Sequence, residues 1–319
     1  MKLQMSMLCA VLAFAGICTM TSCKDDTATR GEGQLSLYLT DSPIDRADVE
    51  AVVVTVTEVR VDGQAWDGFD GPLTVDVLSL QNGMTRLMGS AALDARAYSD
   101  IDLVLDLEQD AMGNAPGCYV MTDDGTRHAL SANGATELLI DIDNSGFAVV
   151  EDDEANLVVD FDLRKSITAS SDGSSDFAFV TSSELDNALR VVVRDETGEI
   201  EGNCNDAINS SDRIVVYAYA AGTYNAQTET SGQGASQVLF ANAVTSASVD
   251  ASGQYRLSFL RSGDYELVFA SYEEQPDGTL QLQGTLLLDT LLNFDLQSIS
   301  VASNASVKVD VLVTGLLPL

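Results

Sequence analysis

Hard oxygen ligands are the first chemistry this sequence offers. Asp141, Asp143 and Ser145 alternate, Gly146 follows where a sharp turn would fall, and Asp152 stands where a helix-flanked calcium loop would close. Carboxylate and hydroxyl oxygens at such spacing suit a calcium ion. The closing ligand is Asp rather than Glu and both flanks read as strand, so the same Asp-x-Asp-Asn-Ser-Gly run serves equally as a turn. Nucleophilic catalysis has little to build on. His128 is the sole histidine, which all but closes off Ser-His-Asp, Cys-His and multi-histidine metal sites. It follows Asp123-Asp124-Gly125 and is expected on an exposed turn. No nucleophile-elbow, phosphate-loop or dinucleotide glycine pattern occurs. Paired carboxylates could hydrolyse a glycosidic bond, yet among 49 acidic residues no spacing singles out a pair.

Charge narrows the partners. Against those 49 acids stand 16 basic residues, a formal charge of -33 over 319 residues. A surface this negative repels nucleic acid and anionic headgroups, so neither is expected as an electrostatic partner. Solubility in a salty or ion-rich medium accounts for the acidity without any acidic site.

The elements that would position these residues are strands. Residues 34–39 alternate strictly, with Leu35, Leu37 and Leu39 on one face. A β-branched run follows over 49–61. Its apolar parity shifts from Val52, Val54 and Val56 to Val59 and Val61, which predicts a bulge near Thr57 and Glu58. Further strands are expected at 73–80, 85–88, 101–107, 119–121, 137–142, 157–161 and 188–193. Beyond them come 213–220, 238–244, 255–260, 262–270, 286–292, 298–301 and 305–313. Trp66, the only tryptophan, lies in the loop 63–72; it either packs over a sheet edge or offers a stacking surface to a ligand. No stretch sustains a helical period. Short strands between Gly- and Asp-rich turns make this an all-β chain of two consecutive antiparallel β-sandwich domains.

The first residues form a separate signal. Lys2 precedes an apolar run that is short for a membrane span and ends in small residues before Cys23. Met20-Thr21-Ser22-Cys23 resembles the lipobox of bacterial lipoproteins. That resemblance implies cleavage before Cys23 and acylation of it, a stable anchor without a spanning helix. Lys24-Asp25-Asp26 is similar to the surface-export signal of Bacteroidetes lipoproteins. The expected location is the outer membrane, lipid-anchored, facing either the periplasm or the cell surface. Cys9 and Cys18 would leave with the signal, so Cys118 and Cys204 remain as a pair in an oxidising compartment, where a disulfide is the default. Two free thiols are the alternative.

Two longer stretches also carry resemblances. Gly33-Gln-Leu-Ser-Leu-Tyr-Leu-Thr-Asp-Ser-Pro43, the Val-rich strand, Val75-Asp-Val-Leu-Ser-Leu-Gln-Asn-Gly83 and Leu157-Val-Val-Asp-Phe-Asp-Leu-Arg-Lys-Ser166 resemble the domain of unknown function DUF4382. The chain departs from that pattern at Arg96-Ala97 and near Ser183. The run 253–270 is similar to transthyretin-like or carboxypeptidase-regulatory-like sandwiches, which implies a scaffold more than chemistry. The expected organisation is a signal peptide over 1–22, a lipidated tether over 23–33, a DUF4382-like sandwich over 34–195 and a transthyretin-like sandwich over 196–319. The expected function is a non-catalytic outer-membrane lipoprotein, a binding or structural module with a glycan or envelope-protein partner. The alternatives are a carboxylate-based glycan hydrolase and a subunit of a larger envelope assembly.

Overall fold

In the computed structural model, residues 31–142, 145–169, 176–290 and 295–319 are described. The signal, Cys23 and the tether as far as residue 30 lie outside them, as does Asp143. Residues Gly31–Leu319 make one compact unit, built of two sheet-rich halves in which strands far outweigh the few short helices.

The first half contains β1 (Glu32–Ser42), β2 (Val49–Val61), β3 (Leu73–Asp76), β4 (Arg86–Asp94), β5 (Ile101–Asp106), β6 (Tyr119–Thr122), β7 (Arg127–Ser131), β8 (Glu137–Asp141), β9 (Glu154–Asp162) and β10 (Leu189–Val193). One sheet runs β10-β9-β1-β4; the facing sheet runs β8-β5-β2-β6-β7 and continues through Phe177–Phe179 to Ile167–Ala169. Pairing is mostly antiparallel. β1 and β9 are parallel, with Leu39 beside Val159 and Thr40 beside Asp160, and β2 to β8 lie between them in the chain. Leu35, Leu37 and Leu39 are wholly buried with Val52, Val54, Val56, Val59 and Val61 in a single core. The register of β2 against β5 slips between Val56 and Glu58, the bulge that the parity shift predicts. Trp66 is 6% exposed and belongs to this core. It packs the sheet edge and presents no stacking surface.

The second half contains β11 (Thr197–Asn205), β12 (Arg213–Ala220), β13 (Thr245–Ser248), β14 (Gln254–Arg261), β15 (Gly263–Glu274), β16 (Leu280–Thr290) and β17 (Val311–Pro318). They form one sheet in the order β13-β12-β15-β16-β17-β11-β14, curled so that its end strands β13 and β14 pack together. Inside lie Val216, Leu257, Leu260, Phe269, Val309 and Val311. A separate cluster of Tyr217, Tyr219, Phe240 and Tyr272 forms on the other face. The strand expected over 238–244 is absent there. Phe240 takes a left-handed φ of 50°, and the Glu229 carboxylate accepts from Asn242 N at 3.1 Å, so the segment turns and the strand begins at Thr245.

Candidate functional site

The densest group of buried charge sits where the two halves meet. Asp160 and Asp162 from β9, Arg190 from β10, and Arg164 and Lys165 from the short helix Leu163–Ser166 supply it. Asp160 and Asp162 fall on the face of β9 opposite Leu157, Val159 and Phe161, so strand alternation turns them away from the first core and toward the second half. The Asp160 carboxylate receives Arg190 Nη2 at 2.7 Å and the Ser42 hydroxyl at 3.3 Å. Asp162 receives Arg164 Nη2 at 3.1 Å and Lys165 Nζ at 3.4 Å. Each cation then reaches across: Arg190 donates to the Phe259 carbonyl at 2.7 Å, Lys165 to the Ala243 carbonyl at 2.6 Å, and Arg164 to the Leu239 carbonyl. Arg261 returns the pattern by donating to the Val191 carbonyl at 2.8 Å, and Ser42 meets Thr245 at 3.0 Å. Phe259 and Phe240 both stand at positive φ, a conformation bulky residues seldom adopt. The strain lies at or beside carbonyls that these arginines hold.

Burial dominates the electrostatics here. The Asp41 carboxyl is pushed well above its ordinary range by desolvation, then by the neighbouring Asp160 and Asp162 charges. Asp45 is pushed up to about 7 by burial, with Arg164 opposing. Burial also lowers the Lys165 ammonium, against the pull of Asp162. Burial alone would lower the Arg164 guanidinium as well, but Asp162, then Tyr217 and Asp45, hold its pKa above the ordinary value. Its guanidinium also lies 5.2 Å from the centre of the Tyr217 ring, and Tyr217 shares a 2.6 Å hydrogen bond with Tyr272.

This junction is where the quoted DUF4382-like residues converge: Thr40, Asp41, Ser42 and Asp160 through Ser166. Its partners in the second half lie tens to more than two hundred residues away in sequence, so only their spatial arrangement makes the group visible.

The residues singled out from the sequence fare differently. Cys118 and Cys204 are free, which corrects the expected disulfide. Each is packed in a different hydrophobic core. Cys118 donates to the Asp106 carbonyl at 3.2 Å, and burial pushes both thiols up to about 12. Of the calcium candidates, Asp141 is exposed on β8, opposite Asp102. Ser145 is buried, its hydroxyl oxygen accepting from Ile101 N at 2.8 Å. Asp152 stands at a φ of 59° in a turn whose N–H donates to Glu32 O. With Asp143 outside the described residues, the four are not seen as a set. Among the described residues, no three His, Cys, Asp or Glu side chains gather as a metal cluster.

His128 is not on an exposed turn. It lies half-buried in β7, with Nδ1 2.6 Å from Asp176 and Nε2 3.2 Å from the Thr122 hydroxyl. That is the order of a nucleophile, a base and an orienting acid. The Thr122 proton, however, goes to Asp124 at 2.8 Å, Thr122 is 7% exposed, and none of the three lines any of the four principal cavities. The group ties a hairpin to Asp176. Two open grooves of about 400 and 330 Å³ flank the turn at Asn82 and Gly83. The glutamates lining them, Glu199 and Glu201, both bind Arg256, at 2.8 and 2.6 Å.

The chain is thus an all-β protein of two sheet-rich halves joined by a buried charged contact. Residues 32–179 match the family model described as "Domain of unknown function (DUF4382)". No curated protein matches the chain. Among solved structures it is similar to BcpA, the major pilin subunit of Bacillus cereus, at 13% identity over 88% of this chain and 70% of that one, with a TM-score of 0.20. It is similar also to GBS52, the minor pilin of Streptococcus agalactiae, at 12% identity over 89% and 98%, with a TM-score of 0.19. The shaft pilin SpaA of Lactobacillus rhamnosus GG gives 13% identity over 89% and 100%, with a TM-score of 0.20. Likeness at this level carries no functional inference.

Proposed function

We propose that the chain is a non-catalytic module of the bacterial cell envelope, held in the outer membrane by acyl chains on Cys23 and serving as a binding or structural component. One observation carries the non-catalytic part. The DUF4382-like residues and the buried charges coincide in a closed contact between the halves, where they clamp structure instead of lining a cleft. The anchored location is supported by the N-terminal apolar run that ends in Met20-Thr21-Ser22-Cys23. The second half, read as a transthyretin-like sandwich over 196–319, then acts as a rigid extension of the first. A glycan or an envelope protein would meet the outer faces.

A subunit role in a larger assembly is favoured by one feature. Among the described residues β4 pairs only with β1 and ends its sheet, with its Leu87 48% exposed, and an open edge can accept another strand. The test is metabolic labelling with a clickable palmitate, followed by cross-linking and pull-down from intact cells. The proposal expects label on the wild type, none on Cys23→Ala, and recovery of an envelope protein or glycan. An unlabelled wild-type chain would overturn the anchor, and turnover of a glycan panel by the purified protein would overturn the non-catalytic reading.

A further inference from the structure

The contact between the halves encloses a cavity of about 20 Å³, room for roughly one water-sized centre. Thr40, Asp41 and Asp160 of the first half line it, facing Thr245, Ser246 and Ser258 of the second. Both carboxylate oxygens of Asp41 and the hydroxyls of Ser246 and Ser258 are buried without a hydrogen-bond partner. Asp41 is 7% exposed and Ser246 4%. An unpartnered polar group costs about 1–3 kcal/mol when buried, and more if it is charged, so several at one cavity point to an occupant that satisfies them together.

The neighbouring charges define that occupant. Asp160 is already engaged by Arg190 and Ser42, and Asp162 by Arg164 and Lys165. Arg256, the cation lining the cavity, is held by Glu199 and Glu201. Asp41 is therefore the carboxylate left without a counter-charge. The backbone N–H groups of Ser42 and Leu163 lie close enough to favour its charge, yet neither completes a hydrogen bond to it. We propose that the cavity holds a single dehydrated sodium ion, bound by Asp41 with the Ser246 and Ser258 hydroxyls, which fastens the two halves together. One free carboxylate balances one positive charge. A divalent ion would leave an excess beside Arg190 and Arg256, and magnesium keeps waters for which the cavity has no room. The site depends on the clamped junction and not on where the chain is anchored.

The test is the Tm of the full chain at about pH 8 in sodium, potassium and choline chloride at equal ionic strength. Sodium is expected to raise the Tm by about 2–4 °C over choline, with broadening of the 23Na resonance. Both effects should be lost when Ser246→Ala and Ser258→Ala are combined, and in Asp41→Asn. Equal Tm in the three salts with an unbroadened resonance would overturn the proposal and leave water as the occupant. A salt-independent Tm that rises as the pH falls in Asp45→Asn as well as in the wild type would overturn it in favour of a proton on Asp41. The salt series on the wild type decides even if Asp41→Asn does not fold.

Discussion

Arg190 holds Asp160 with one edge of its guanidinium while Nη1 donates to the Phe259 carbonyl of the other half. Removing it strands a buried carboxylate and a strained carbonyl together. Arg190→Ala is expected to lower stability by about 2–5 kcal/mol, read as a fall in the denaturant midpoint at unchanged m-value. Arg190→Lys should restore little of this, since an ammonium cannot span both partners. Asp45 gives the junction a pH dependence. Its folded pKa of about 7 lies above the ordinary 3.8, so over that window the folded chain keeps a proton that the unfolded chain has released. Asp45 therefore contributes stability that declines as pH rises from about 4 to about 7 and then levels off. Asp45→Asn should flatten that decline in thermal melts across the window; a variant that melts with the wild-type pH profile would show that Asp45 does not contribute.

At the scale of the element, strand order and backbone approach set what can be replaced. A Cβ on Gly202 of β11 would stand 1.8 Å from the Val309 carbonyl oxygen, a backbone atom that cannot swing aside. Gly202→Ala should lower the Tm markedly, whereas Gly125→Ala, with open space around it but a φ of 80°, should show only the smaller cost of backbone strain. A circular-dichroism melt of both variants checks the contrast. Periodicity made some elements legible: the bulge in β2 was visible because its valines change parity at one place. It failed where side chains are small, and the stretch Gly-Ser-Ala-Ala-Leu made β4 look half its length of nine residues. It failed at 238–244 because the turn there depends on Glu229 and on cations from the first half. The candidate site was hidden for the same reason. Asp160 and Arg164 stood out in sequence as parts of a resemblance, but their partners, the Leu239 and Phe259 carbonyls, are backbone atoms that no residue type advertises. The pairing of Cys118 with Cys204 was inferred from compartment and count, neither of which carries the distance between two separate cores.

For the whole molecule, cohesion has to overcome charge. With a net charge of -33, like-charge repulsion acts on every part of the chain, and five of the 16 basic residues, Arg46, Arg164, Lys165, Arg190 and Arg261, are seen to bridge between the halves. A binding or structural module of the kind proposed would need those halves fixed to each other, and the buried contact does so through carbonyls of the second half. The most direct test of this clamp is scanning calorimetry of the full chain beside Arg190→Ala. The clamp predicts one cooperative transition, with calorimetric and van't Hoff enthalpies in agreement, that moves down as a whole in the variant. Two separate transitions in the wild type, with only the earlier-melting half affected by Arg190→Ala, would contradict it.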